Sequence, residues 1–266
     1  PAIAGAQSLN GGGDPVRYII APETPGPNSP VTIQAQGVGG FLGDATITWS
    51  QDGKVVKQGA GESTFSFTTG ALGSVTRIHL VINSPVQGTI TRDFIFAPSL
   101  VNLVWEADTS VPPFFKGKPL YSAGSRLKIV ALPIIPSGNT TLPASSLSFK
   151  WSLGDNPLTA QSGLGRNILT FAGDQLQNSE DVTVDVLWQG TKGGRGEIIV
   201  PVSQPQVVLY VHDPLRGLLL DQAITNQLSI SSQEATVQAV PYFFSNQSVA
   251  NGALSFAWTL NGEDAT

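Results

Sequence analysis

The fold is decided by a stretch of nine residues, ATITWSQDG at positions 45–53. Its apolar and polar residues alternate. Because successive side chains of a strand point to opposite faces, Ala45, Ile47 and Trp49 share one face. The Asp-Gly pair that follows is typical of a tight hairpin turn. The stretch therefore predicts a half-buried β-strand that carries its tryptophan into a core and then turns.

The same pattern occurs twice more, as LSFKWSLGD at 147–155 and LSFAWTLNG at 254–262. The three tryptophans, Trp49, Trp151 and Trp258, are 102 and 107 residues apart, which is the size of one β-sandwich domain of about 100 residues. Alternating strands also recur before and after each of the first two tryptophans. The sequence thus predicts an all-β chain of repeated sandwiches, each packed around its tryptophan.

The repeat divides the chain into copies. We predict copy 1 at residues 14–97, copy 2 at 98–203 and a truncated copy 3 at 204–266. The junctions APS at 97–99 and SQPQ at 203–206 are short and carry one proline each, which favours a stiff, rod-like array. Two interpretations of residues 1–13 stay open: a flexible Ala/Gly-rich terminus, or the remnant of a secretory signal.

The three tryptophan strands resemble those of tandem immunoglobulin-like modules in prokaryotic cell-surface proteins, and in particular PKD-type repeats. Those repeats carry an aromatic strand of the form Tyr-x-Trp followed closely by Asp-Gly or Asn-Gly. The similar stretches here are ITW…DG at 47–53, FKW…GD at 149–155 and FAW…NG at 256–262. The resemblance implies immunoglobulin-like sandwiches that serve as spacers, adhesive stalks or carbohydrate-associated modules.

Composition excludes several other classes. The 266 residues include no cysteine, so disulfide frameworks and thiolate metal sites are absent. The net charge of −5 argues against a nucleic-acid partner, which would require a basic surface. No apolar run is long enough for a membrane-spanning helix within this sequence.

Catalytic patterns are weak. His79 is predicted on an outward strand face. His212 and Asp213 are adjacent on a strand, so they point to opposite sides and cannot act as a base and its orienting carboxylate. The carboxylates of Glu180, Asp181 and Asp185 are predicted to face solvent, where they protect a strand edge. We therefore predict no enzymatic activity and no catalytic residues.

Calcium is the one metal with candidate ligands. Glu106 and Asp108 lie near the first junction between copies, and Asp213 and Asp221 occupy the corresponding part of copy 3. Calcium prefers several oxygen ligands, which these carboxylates could supply, but no Asp-x-Asp-x-Asp loop accompanies them. No other cofactor is predicted.

Three further segments bear on turns and binding. GGRG at 193–196 is predicted to be a hairpin turn, and residues 215–224 a loop or edge strand, with a short helical turn as the alternative. The clusters PPFF at 112–115 and PYFF at 241–244 offer Phe114, Phe115, Tyr242 and Phe243 as an interface. The alternative is that these side chains pack at domain junctions or close the sandwich ends.

These features predict a non-enzymatic structural or adhesive segment, a stalk or spacer, of an extracellular cell-surface protein. Its partners would be other surface proteins or glycans. Three alternatives stay open: a carbohydrate- or protein-binding module, an accessory region of a secreted hydrolase, and a subunit of a surface filament assembled through strand edges.

Overall fold

The computed structural model describes residues 15–173, 177–225, 228, 234–260 and 262–264, so the segment predicted at residues 1–13 lies outside it. Contacts divide the chain into two compact units. The first comprises Pro1–Leu103, Ala131–Asn167 and Thr183–Glu197, and the second comprises Val104–Val130, Ile168–Val182 and Ile198–Thr266. The three copies are defined by the sequence repeat, and their boundaries do not coincide with those of the two units. The copy boundaries therefore stay a prediction.

Copy 1 forms seven strands within residues 15–97. They are β1 (Val16–Ala21), β2 (Pro30–Gly37), β3 (Thr46–Gln51), β4 (Lys54–Ala60), β5 (Thr64–Thr68), β6 (Thr76–Ser84) and β7 (Gly88–Phe96). One sheet has the order β1-β2-β5 and the other β4-β3-β6-β7, with antiparallel neighbours throughout. Two antiparallel sheets of three and four strands with these crossovers make an immunoglobulin-like sandwich, as the sequence predicts.

The core of copy 1 is centred on Trp49, which is 0% exposed. Its indole stacks on Phe65 of the opposite sheet, with ring centroids 5.4 Å apart and planes inclined by 19°. The indole N–H donates to the carbonyl oxygen of Glu62 at 2.8 Å, so burial leaves no polar group unpaired there. The predicted turn follows β3, with Asp52 and Gly53 both at positive φ, as a type I′ hairpin turn requires.

Copy 2 repeats this strand order. Its strands are β8 (Leu100–Asp108), β9 (Arg126–Ile134), β10 (Pro136–Ser137), β11 (Thr140–Thr141), β12 (Ser148–Leu153), β13 (Asn156–Pro157), β14 (Gly163–Leu164), β15 (Ile168–Ala172), β16 (Ser179–Trp188) and β17 (Thr191–Pro201). The main sheets run β8-β9-β15 and β13-β12-β16-β17, an order that corresponds to the two sheets of copy 1. In addition, β14 pairs with β12, and β10 and β11 form a separate two-stranded sheet. The fold is therefore that of tandem immunoglobulin-like sandwiches.

Trp151 takes the position in copy 2 that Trp49 takes in copy 1. It is 1% exposed, and its indole N–H donates to the carbonyl oxygen of Arg166 at 2.8 Å. Fully buried apolar side chains lie at the alternate positions of β9, β12 and β16, as the period of two predicts: Leu127, Ile129, Phe149, Val182, Val184 and Val186.

The described part of copy 3 contains β18 (Gln206–Asp213), β19 (Gly217–Ile224), β20 (Thr236–Tyr242), the short helix α1 (Asn246–Ala250), β21 (Thr259–Leu260) and β22 (Glu263–Asp264). Its three-stranded sheet has the order β19-β18-β20, so the segment predicted as a loop or edge strand is an edge strand. A tight turn at Asp213–Gly217, with Gly217 at φ 74°, returns the chain into β19.

Trp258 differs from the other two repeat tryptophans, because it is only partly buried and Phe256 beside it is 39% exposed. Residues 253–258 form no strand, and the strand that begins at Thr259 has two residues. The structure therefore does not place Trp258 in a core like those of Trp49 and Trp151. Among the described residues of copy 3, no second broad sheet covers that face.

The prediction of a hairpin turn at 193–196 is wrong, because these residues lie inside β17. The turn is made instead by Gln189 and Gly190, both at positive φ. The glycines are needed for close packing: a Cβ on Gly194 or Gly196 would come within 2.8 or 2.9 Å of the Val101 side chain. Glycine allows the backbone to approach where any side chain would collide.

Replacing Trp49 with alanine should destabilise copy 1 by about 3–5 kcal/mol, because it removes a fully buried indole and leaves a cavity. Urea unfolding followed through backbone NMR signals of copy 1 would measure this directly, since a multidomain chain need not unfold in two states. The matched control is Val55→Ala on neighbouring β4, where the side chain is 62% exposed and the loss should be about 0.5 kcal/mol or less. Equal losses of stability for Trp49→Ala and Val55→Ala would contradict the assignment of Trp49 to the core of copy 1.

Candidate functional site

The aromatic cluster at 241–244 is buried rather than exposed. Tyr242 is 4% and Phe243 7% exposed, and both pack with Tyr210 in one apolar cluster of the second unit. Burial raises the pKa of the Tyr242 hydroxyl to about 12, and that hydroxyl donates to the Tyr210 hydroxyl at 3.3 Å. Tyr242 and Phe243 are therefore buried within this cluster and do not form a free interface.

The cluster at 112–115 is divided between two roles. Phe115 packs edge-on against Phe243, with ring centroids 5.6 Å apart, and so joins copy 2 to copy 3. Phe114 is 96% exposed at the tip of its loop, with φ at 63°. Of the four predicted interface residues, Phe114 alone among the described positions is almost fully open to solvent.

Hydrogen bonds add to this junction between copies 2 and 3. The backbone N–H of Ser110 donates to the carbonyl of Phe244 at 2.9 Å, and the N–H of Phe243 donates back to the carbonyl of Ser110 at 2.7 Å. The Ser110 hydroxyl donates to the Pro241 carbonyl at 2.9 Å, and the Asn246 amide donates to the Asp108 carboxylate at 2.8 Å. The junction therefore contains a two-way backbone pairing as well as side-chain hydrogen bonds.

A groove of about 460 Å³ lies beside this junction, on the outward side of β8, β9 and β15. Glu106 and Asp108 line it, but so do Arg126 and Lys128. The two cationic side chains would repel a calcium ion at this place. Asp108 also accepts the hydrogen bond from Asn246, which occupies one of its oxygens.

The other calcium candidates lie elsewhere. The Asp213 carboxylate accepts the backbone N–H groups of Arg216 and Leu215 at 2.8 and 2.9 Å, which holds the pKa of Asp213 below its ordinary value. Asp221 is exposed on edge strand β19. Over the part of the chain that the structure describes, no three acidic, histidine or cysteine side chains converge in a group suited to a metal. The structure therefore does not assemble Glu106, Asp108, Asp213 and Asp221 into a calcium site.

The remaining titratable candidates have structural surroundings. His79 lies outward on β6 and contacts the Asp93 carboxylate at 2.7 Å. The expectation that Glu180 faces solvent is wrong, because Glu180 is on the same side of β16 as Val182 and is 2% exposed. Its carboxylate accepts the Tyr121 hydroxyl at 2.9 Å.

An ion-pair cluster that the sequence did not indicate lies where copy 1 meets copy 2, within the first unit. The Lys192 ammonium is 3.0 Å from both Glu23 of copy 1 and Asp185 of copy 2. Burial disfavours the charged ammonium, but the hydrogen bonds to Asp185 and Glu23 outweigh it and raise the pKa of Lys192. A backbone bond from Ser99 to Pro25, at 3.4 Å, crosses the same junction. No sequence signal could have found this cluster, because Glu23 and Lys192 are far apart along the chain.

Comparisons with known proteins give a likeness of fold only. No known family matches the sequence, and no curated protein matches it. Similar solved structures include the fibronectin(III)-like modules of Clostridium thermocellum CbhA, at 10% identity and a TM-score of 0.31 over 70% of this chain and 94% of that one. The three N-terminal domains of the bacteriophage RB49 outer capsid protein Hoc share 11% identity, with a TM-score of 0.29 over 87% and 70%. The tandem Ig repeats of Dlar share 12%, with a TM-score of 0.28 over 71% and 98%.

These identities and TM-scores transfer no function to this chain.

Within the described residues, no helix is both long and apolar enough to cross a membrane.

Replacing Phe243 with alanine should lower the free energy of unfolding of copy 3 by about 3 kcal/mol, since it removes a buried ring from the junction. Phe114→Ala is the matched control at a fully exposed ring, with an expected change of about 0.5 kcal/mol or less. Urea unfolding monitored by NMR signals of β18 and β20 measures the stability change of each variant. A large loss of stability from Phe114→Ala, with no loss from Phe243→Ala, would contradict the assignment of Phe243 as the buried ring and Phe114 as the exposed one.

Proposed function

We propose that this chain is a non-enzymatic structural segment of an extracellular surface protein, a spacer that holds successive immunoglobulin-like copies in a fixed relation. The observation that carries the proposal is the two-way backbone pairing between Ser110 and the Phe243–Phe244 segment. A flexible linker between freely moving modules has no need of such a pairing. The stiff array predicted from the short junctions is part of this proposal.

Three features support the assignment. The Phe115–Phe243 contact and the Lys192–Glu23 pair add apolar and ionic contacts to the two junctions. The candidate catalytic groups His79, Glu180 and Asp213 are engaged in a surface contact, a buried hydrogen bond and a turn, respectively. The chain also contains no cysteine and no methionine, which leaves few side chains for oxidants to modify outside the cell.

Distances between spin labels test the fixed junction. Because the chain has no cysteine, Asp181→Cys in copy 2 and Gln238→Cys in copy 3 place labels only at two exposed positions. We expect a single narrow distance distribution by pulsed electron spin resonance. Ser110→Ala combined with Asn246→Ala removes two junction hydrogen bonds and should broaden it.

The matched control combines Asn102→Ala with Ser145→Ala, two exposed positions outside this junction, and should leave the distribution narrow. A broad distribution in the unmodified chain would contradict the proposal, because the copies would then move independently.

The extracellular location is tested on cells that express the gene. Antibodies raised against this chain should stain intact cells as strongly as permeabilised cells, while an antibody against a cytosolic protein stains only permeabilised cells. Staining that requires permeabilisation would contradict the location and leave the junction measurement unaffected.

A further inference from the structure

A second pocket, of about 350 Å³, lies within the first unit where copy 1 meets copy 2. Its apolar walls come from Val75 and Ile95 of copy 1 and from Pro136 and Trp188 of copy 2. Arg77 lines it as well, and none of its lining residues is acidic. The volume falls in the range of small-molecule sites, which occur preferentially between domains.

Trp188 is presented to this pocket by a tight turn. It is the last residue of β16, and the turn at Gln189 and Gly190, both at positive φ, follows it directly. Its ring is partly exposed, and over the described residues its indole N–H makes no hydrogen bond, whereas those of Trp49 and Trp151 each donate to a carbonyl. A partly apolar ring with an available donor is suited to hold a ligand that has an apolar face and polar edges.

Arg77 gives the pocket its charge. The side chain is exposed on β6, and within the described chain its guanidinium forms no ion pair. Asp52 contacts Arg77 only through the backbone, where its Oδ1 accepts the Arg77 N–H at 2.9 Å. A guanidinium binds carboxylates through two parallel hydrogen bonds, so an available one favours a carboxylated ligand.

We infer that this pocket binds a carboxylated sugar ring, a uronic acid unit of an acidic polysaccharide. The apolar face of the ring packs on Trp188 and Pro136, the ring hydroxyls meet the indole N–H and the neighbouring Ser137, and the carboxylate pairs with Arg77. The inference goes beyond the spacer role, because a spacer needs no such pocket.

The combination of groups favours this ligand over its nearest alternatives. A neutral sugar would use the indole and leave the guanidinium without a partner. An aromatic acid would use the guanidinium and the apolar walls but could not use the hydroxyl-bonding edges. A ring with both a carboxylate and several hydroxyl groups matches the apolar wall, the cation and the polar edge together.

Titration with trigalacturonate tests the inference, with a neutral trisaccharide and phenylacetate as comparison ligands. The readout is the indole N–H signal of Trp188 in NMR spectra of the full chain labelled with ¹⁵N. We expect saturable shifts with trigalacturonate, with a Kd on the order of 1 mM or tighter. The neutral trisaccharide should bind about tenfold more weakly, which corresponds to about 1.4 kcal/mol, and phenylacetate more weakly still.

Two variants and their controls complete the test. Trp188→Ala, followed through the backbone signals of Gly138 and Gly190, should weaken trigalacturonate binding about tenfold or more, whereas Phe114→Ala at an exposed ring should not change it. Arg77→Gln should abolish the preference for trigalacturonate over the neutral sugar, whereas Arg17→Gln at another exposed arginine should preserve it. All four positions are partly or fully exposed, and unchanged core signals verify that each variant folds.

The contrary results are equally specific. No saturable shift at Trp188 with trigalacturonate overturns the site. Equal binding of the neutral and carboxylated sugars overturns the role of Arg77, and tighter binding of phenylacetate overturns the assignment to a sugar. None of these results bears on the spin-label distances, so the spacer proposal stands or fails separately.

Discussion

The hydrogen bond from a buried indole to a backbone carbonyl is the constraint on which the two complete copies depend. Trp49 donates to Glu62, and Trp151 donates to Arg166. Each acceptor stands two residues before the strand that follows, β5 or β15. A buried donor without a partner would cost about 1–3 kcal/mol, so the bond fixes where the loop after the tryptophan strand must pass. In this way one side chain sets both the core and the entry into the next strand.

Because this constraint fixes the cores, the loops at the ends of the sandwiches are available for junction contacts and for the pocket at Trp188. Once the cores are fixed by packing, the segments at the ends of the sandwiches are held in place although they are not themselves buried. One of these segments carries the Ser110 pairing and the Phe115–Phe243 contact, and another carries Trp188. Trp188 has the same indole as the core tryptophans, but its donor has no internal acceptor in the described chain. The same residue type therefore stabilises a core in one place and is available for a ligand in the other.

The alternation of side chains predicts the buried faces of several strands. Positions such as Ile129 and Val184 are buried as their period indicates, and the Asp-Gly turn after β3 forms where expected. Alternation describes which face a residue occupies, but it does not reveal what packs against that face. The sequence therefore predicts Tyr242 and Phe243 as an interface, although both side chains are buried. The assignment of Glu180 to solvent was a different error, because counting from Val182 already places it on the inward face.

Contacts between segments that are far apart along the chain could not be predicted from the sequence. The glycines of β17 look like a turn when they are considered locally, and only the position of Val101 shows why no side chain fits there. Likewise, Lys192 finds Glu23 across 169 positions of the chain. Copy 3 shows that a matching sequence pattern does not by itself predict burial. Residues 254–262 match the repeat, yet Trp258 is only partly buried in the described structure.

Hydrogen exchange of the indole protons tests the central claim most directly. In a ¹⁵N-labelled chain transferred to heavy water, the indole signals of Trp49 and Trp151 should persist, because each proton is buried and bound to a carbonyl. The signal of Trp188 should disappear before those two, since its ring is partly exposed and its N–H has no acceptor within the described chain. Rapid exchange at Trp151, at the rate of Trp188, would contradict the account, because copy 2 would then lack the buried hydrogen bond that defines the repeat.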